Sequence, residues 1–116
     1  MNSSALFIIT GDPRLSPRPA EAIRIAAGVG TWKKTDVRVY LRDSAVLSLC
    51  DCTDELVDGD SFSRYLPILG DWGRPIYVQH GAPMLAQMGQ PSLPCEEIDD
   101  TRLAALAAGS SFVLRF

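Results

Sequence analysis

The chain has 116 residues, of which 47% are hydrophobic and 22% are charged, and a formal net charge of -3. These values are typical of one globular domain, which we predict to span residues 1–116. The weak negative charge, without a long basic run, predicts no nucleic-acid partner, and the apolar run over residues 5–9 is too short to cross a membrane. Because that run also lacks the features of a signal peptide, we expect a cytoplasmic protein.

The first half of the chain alternates predicted strands with predicted helices. An apolar run over residues 5–10 predicts a strand that is buried on both faces, as in parallel sheets. Pro19 suits the first turn of the helix that follows, and this helix is predicted to end near Gly28 to Gly30. The segment Thr35–Leu41 alternates polar and apolar residues, which predicts a strand nearer an edge of the sheet. Residues 44–49 then predict one or two helical turns.

The second half continues this alternation. A helix is predicted from Asp60 or Ser61 to Gly70, and Pro67 in its interior predicts a distortion or a break. The remaining strands are predicted near residues 75–79, 92–97 and 111–116. The remaining helices are predicted over Met84 to Met88 and from Asp99 or Asp100 to Gly109.

Strands that alternate with helices require right-handed crossovers onto a mainly parallel sheet. The sequence therefore predicts an α/β fold, a flavodoxin-like three-layer αβα sandwich of about five strands. The first loop, Gly11 to Ser16, lacks the Thr- and Ser-rich phosphate cradle of a flavin site, and no glycine-rich nucleotide motif is present. We therefore predict no cofactor. One histidine and three cysteines without finger-like spacing likewise predict no metal site.

Three segments carry a pattern of residue classes that runs through the chain in order. Residues 5–26 combine a strand, a Gly/Pro turn and an alanine-rich helix, residues 37–46 give a strand and a step of small residues, and residues 100–116 give a final helix and strand. This pattern resembles the DsrE/TusD family of sulfur-relay proteins, which have the DsrEFH-like fold. The resemblance implies that fold, assembly into homo-oligomers or into hetero-oligomers with related subunits, and a sulfur-carrier protein as partner.

The resemblance also implies where the chemistry of the family would lie. In the family a cysteine commonly follows the third strand and accepts sulfur as a persulfide. Aligning the strand Ile76 to Val78 places Gln79 at the cysteine position, with His80 beside it. Glutamine has no thiolate to attack a sulfur donor, so the usual relay chemistry is predicted to be lost or displaced.

Several other residues are predicted to lie at the same end of the sheet. Gln79, His80 and Gly81 stand where a strand meets a helix, and open parallel sheets bind ligands at such junctions. Arg14 and Arg18, in the first loop, can supply positive charge for an anion or an acidic partner. The alternatives are that His80 is a hydrogen-bonded turn or interface residue and that the arginines are only solvated.

The cysteines offer two candidate replacements for the missing thiol. Cys95 lies in a loop that can return to the crevice and act as the reactive thiol, or it is a small buried residue. Cys50 and Cys52 can form an exchanging pair, but the acidic residues around them disfavour a thiolate, and the inert alternative remains. The odd and small number of cysteines predicts reduced thiols.

Trp72 lies in a Gly-Asp-Trp-Gly sequence that has the character of a loop. A large ring is hard to bury in such a loop, so we expect either an oligomer contact or core packing. Two functions remain open. The first is a sulfur-relay accessory protein with a degenerate site and a displaced thiol. The second is a non-catalytic binding or assembly subunit of an oligomer, in which the cysteines are inert.

Overall fold

The computed structural model describes residues 3–31, 35–50, 55–72 and 75–116. Its strands are β1 (Ser3–Ile9), β2 (Thr35–Leu41), β3 (Ile76–Gln79), β4 (Cys95–Ile98) and β5 (Phe112–Arg115), and its α-helices are α1 (Arg18–Thr31), α2 (Gly59–Gly70), α3 (Leu85–Met88) and α4 (Asp100–Ala108). A 3-10 helix over Asp43–Leu49 follows β2. The strands form one sheet in the order β4-β3-β2-β1-β5, and every pairing is parallel. The predicted α/β fold is therefore confirmed.

The strand β2 corrects one expectation. Its alternating sequence predicted a place nearer an edge, but β2 is the central strand of the five. Val37, Val39 and Leu41 are buried on one face of the sheet, while Asp36 and Arg38 on the other face are only half-buried. The alternation thus indicates that one face of the sheet is poorly covered, because every second side chain of a strand points to the same face.

The better covered face, which we call the major face, packs against α1, α2 and the 3-10 helix. Alternate residues of β1, such as Phe7 and Ile9, meet Ile23 of α1 and Phe62 of α2 in one apolar cluster. Alanine-rich α1 allows this close approach, because its small side chains bring the helix backbone near the sheet. The helix α2 continues through Pro67, so the break predicted there is wrong.

The opposite face, which we call the minor face, is covered by α4. Leu6, Ile8, Tyr40, Tyr77 and Ile98 form a second, smaller buried cluster there. The helix α4 adds only partly buried residues to it, namely Leu103, Leu106 and Ala107. Among the residues that the structure describes, no helix is long and apolar enough to cross a membrane.

Candidate functional site

All five strands point the same way, so their carboxyl ends meet along one side of the sheet, which we call the carboxyl edge. β1 leads there into the first loop, β2 into Arg42, β3 into His80 and β4 into Asp99. Ligands of open parallel sheets bind outside such an edge. The candidate site is therefore built from residues that directly follow the strands.

Gln79 links β3 to the 3-10 helix through a side-chain hydrogen bond. Its side-chain oxygen Oε1 accepts a hydrogen bond of 2.9 Å from the backbone N–H of Asp43, the first residue of that helix. The preceding residue, Arg42, makes no side-chain cap hydrogen bond. Asp43 has a φ of 54°, which is the left-handed region that costs a non-glycine residue conformational energy. Gln79 thus satisfies an N–H that a helix start leaves unpaired, at a strained position.

His80 and Gly81 connect to β4 instead. Nδ1 of His80 lies 3.4 Å from Oε1 of Glu97, and the backbone N–H of Gly81 donates to the same oxygen at 3.3 Å. His80 itself is exposed, with 73% of its side-chain surface accessible. Gly81 has a φ of 72°, which favours glycine at this turn. The adjacent residues Gln79 and His80 therefore bind different neighbours.

Arg42 is a member of the edge that the sequence analysis missed. Its Nη1 donates to Oδ1 of Asp100 at 2.9 Å and to the hydroxyl oxygen of Tyr40 at 3.2 Å. The hydrogen bond to Asp100 raises the pKa of Arg42, and burial raises the pKa of Tyr40. The sequence could have indicated Arg42, because this residue directly follows a strand just as His80 does. This network joins the end of β2 to the first turn of α4.

The predicted arginines of the first loop already have partners. Arg14 makes a two-pronged contact with the carboxylate of Asp12, from Nη2 to Oδ2 at 2.9 Å and from Nε to Oδ1 at 3.1 Å. The hydrogen bonds from Arg14 lower the pKa of Asp12. The guanidinium of Arg18 lies 5.8 Å from the centre of the Phe116 ring. An anion at this loop would thus compete with Asp12 for Arg14.

Cys95 is far from this edge. It is the first residue of β4 and pairs with Ile76, whereas Gln79 pairs with Ile98 at the other end of the same two strands. Three residues of strand separate the two ends by about 10 Å. Burial, and then the nearby Glu97 carboxylate, raise the pKa of Cys95. The expectation that Cys95 returns to the crevice is therefore wrong.

Cys50 is buried, and Trp72 is partly buried against its own chain. Cys50 is buried and disulfide-bonded, so the predicted reduced thiol is wrong at this position, and Cys52 lies outside the described residues. The Trp72 ring packs directly over Gly30 of α1, where a Cβ atom would collide with it. Trp72 is therefore partly covered by its own chain, which favours the core-packing alternative, and the oligomer contact stays a prediction.

The five parallel strands in one sheet with flanking helices match a solved structure of the DsrE-like fold. No family pattern and no curated protein matches the sequence. Among the solved structures that match is the crystal structure of the YchN protein from E. coli, with a TM-score of 0.81 over 100% of both chains and 18% sequence identity. An identity this low shows the shared fold and leaves activity to be argued from the site.

Proposed function

We propose that this chain is a DsrE-like subunit that takes part in a protein assembly without carrying sulfur itself. The observation that supports this most directly is the hydrogen bond from the Asp43 N–H to Oε1 of Gln79. At the position that the resemblance assigns to a persulfide-bearing cysteine, this side chain has a structural partner. It binds the strained start of the 3-10 helix.

The chemistry of the side chains agrees with this proposal. Persulfide transfer needs a thiolate that attacks the sulfur donor, and an amide cannot form a persulfide. Burial, and then the nearby Glu97 carboxylate, raise the pKa of Cys95 and so lower the fraction of thiolate. The sulfur of Cys50 is already bonded. Among the described residues, no thiol stands at the carboxyl edge.

The polar groups that remain at the edge are suited to contacts with another protein. Arg42, His80 and Glu97 are held in place by partners on neighbouring strands and helices, and each retains accessible surface. Fixed polar groups of this kind add specificity to an interface more than they add affinity. A related subunit or a sulfur-carrier protein, placed against this edge, is the partner that we propose.

Incubation with a cysteine desulfurase and cysteine, followed by intact-protein mass spectrometry, tests the proposal. We expect no persulfide on the native chain, that is, no gain of about 32 Da. Gln79→Cys should gain that mass, because the new thiol lies at a strand end beside the Asp43 N–H. In the variant that N–H has lost its Gln79 acceptor, so it can stabilise a thiolate.

Two controls assign the site, and release of the added mass by a thiol reductant distinguishes a persulfide from a sulfinic acid, which also adds about 32 Da. The double variant Gln79→Cys, Cys95→Ser should keep the added sulfur, and Gln79→Ser should gain none. A persulfide on Cys95 of the native chain would overturn the proposal, and it would support the alternative of a sulfur-relay protein with a displaced thiol.

A further inference from the structure

The two outer strands of the sheet differ in the chemistry of their free sides. β4 has the sequence Cys-Glu-Glu-Ile, and both Glu96 and Glu97 are exposed. β5 has the sequence Phe-Val-Leu-Arg, and Phe112 and Val113 are 60% and 40% exposed. Natural sheets protect outer strands with charges, because an uncharged edge pairs readily with another chain. The structure thus has one acidic edge and one edge that is apolar apart from Arg115.

The backbone of β5 shows which of its groups face outward. The N–H of Phe116 donates to the oxygen of Ile8, and the N–H of Thr10 donates to the oxygen of Phe116. Both polar groups of Phe116 therefore point toward β1. Successive residues of a strand alternate in this respect, so Leu114 and Phe112 also face β1. The N–H and C=O groups of Val113 and Arg115 face away from the sheet.

An apolar groove runs beside this edge on the major face. Its volume is about 530 Å³, and Ile25 and Val29 of α1 form one wall while Phe112 and Leu114 of β5 form the other. Among the described residues, nothing else covers it. A strand added to β5 would therefore gain backbone hydrogen bonds along the edge and apolar contacts at the mouth of the groove.

We propose that β5 pairs antiparallel with β5 of a second copy of this chain, about a two-fold axis at Val113. This inference rests on the proposed function, since a subunit that carries no sulfur acts through its assembly. It adds a second surface, the β5 edge, which binds another copy of the chain and is separate from the carboxyl edge. The pairing joins two sheets of five strands into one continuous sheet.

The residue register favours a second copy as the occupant. A two-fold axis at Val113 places this residue opposite Val113 of the second copy, and each donates its outward N–H to the outward C=O of the other. Side chains of opposite residues then lie on the same face of the joined sheet. Phe112 then lies opposite Leu114 of the second copy, at the mouth of the groove. Arg115 lies opposite Ser111, so no like charges meet. In contrast, a two-fold pairing of β4 centred on either glutamate places that glutamate against its own copy.

The self-pairing of residue 113 provides a sharp test by light scattering at micromolar concentration. The native chain should be a dimer or an assembly built from dimers. Val113→Lys and Val113→Glu should each halve the particle mass, because equal charges then meet at the axis. An equimolar mixture of the two variants should restore the mass, because opposite charges then meet.

Two further variants separate backbone pairing from surface charge. Val113→Pro should weaken association by about 10- to 100-fold, since it removes an outward N–H from each copy without breaking the pairing with β1. Leu15→Lys, a charge placed on a side chain that is 81% exposed and lies outside β5, should leave the mass unchanged.

Three results would overturn the inference: a monomeric native chain, variants at residue 113 that keep the native mass, or a mixture that does not reassociate. Open-ended growth with concentration would also overturn it, in favour of β5 pairing with β4 of the next copy. None of these results bears on sulfur uptake, so the proposed function stands or fails separately in the mass spectrometry experiment.

Discussion

On the major face, α1, α2 and the 3-10 helix bury whole side chains, among them Ile23, Phe62 and Leu66, whereas α4 covers the minor face without burying any of its own residues. Both faces belong to the same five strands. The difference shows that one sheet can have a well-packed side and a loosely covered side. Regions with few buried apolar contacts open locally at a lower free energy than the core. We therefore expect α4 to be the least stable part of the layered structure.

The largest expected effect comes from removing a leucine side chain on each face. Leu66→Ala in α2 should lower the free energy of unfolding by about 2–5 kcal/mol, since Leu66 is buried and its loss leaves a cavity. Leu106→Ala in α4 should cost about 1 kcal/mol, because that side chain is already partly exposed. Urea unfolding at one protein concentration measures both values. Equal losses would show that the two faces contribute alike.

The sequence contained the order of the elements. Apolar runs and turn residues located every strand, because buried parallel strands and alanine-rich helices follow simple patterns. The pattern of β2 was misinterpreted, since alternation has two causes: a strand at the edge of a sheet, or a central strand with one face poorly covered. Only the sheet order separates these causes, and it depends on contacts between segments that lie far apart in the chain.

The candidate site was harder to predict from the sequence. The position of Gln79 at a strand end followed from local patterns, but its hydrogen bond to Asp43 spans 36 residues and depends on how β2 and β3 pair. Cys95 was misplaced for a related reason. Its strand was recognised, but the sequence does not show that Cys95 begins that strand at the edge opposite Gln79.

A smaller change in the free energy of unfolding is expected at the carboxyl edge, which lies between the two faces of the sheet. Gln79→Ala should lower the free energy of unfolding by about 1 kcal/mol, because the Asp43 N–H loses its acceptor, as in the loss of a helix cap. Hydrogen exchange at the Asp43 amide should become faster as well. Gln87→Ala, on the exposed surface of α3, is a matched control and should change neither value. Unchanged exchange at Asp43 would contradict the structural role of Gln79.

An effect of similar size, which depends on pH, concerns the polar network between the minor face and α4. The hydroxyl of Tyr40 accepts a hydrogen bond from Arg42, and Tyr40→Phe should cost about 1 kcal/mol near neutral pH. Burial raises the pKa of Tyr40 above the usual 10.0. The unfolded chain therefore loses this proton at a lower pH than the folded chain does. The stability that comes from burying the neutral hydroxyl, as distinct from its hydrogen bond with Arg42, is fully present below pH 10.0 and declines as the pH rises toward the folded-state pKa.

The difference between the native chain and the variant isolates this contribution from other groups that titrate at high pH. Urea midpoints should fall more steeply for the native chain than for Tyr40→Phe as the pH rises above 10.0. Tyr65→Phe, on half-buried surface of α2, is the matched control for loss of a tyrosine hydroxyl elsewhere. If native and Tyr40→Phe curves stay parallel, the Tyr40 hydroxyl is open to solvent, and α4 covers the minor face even less than the structure indicates.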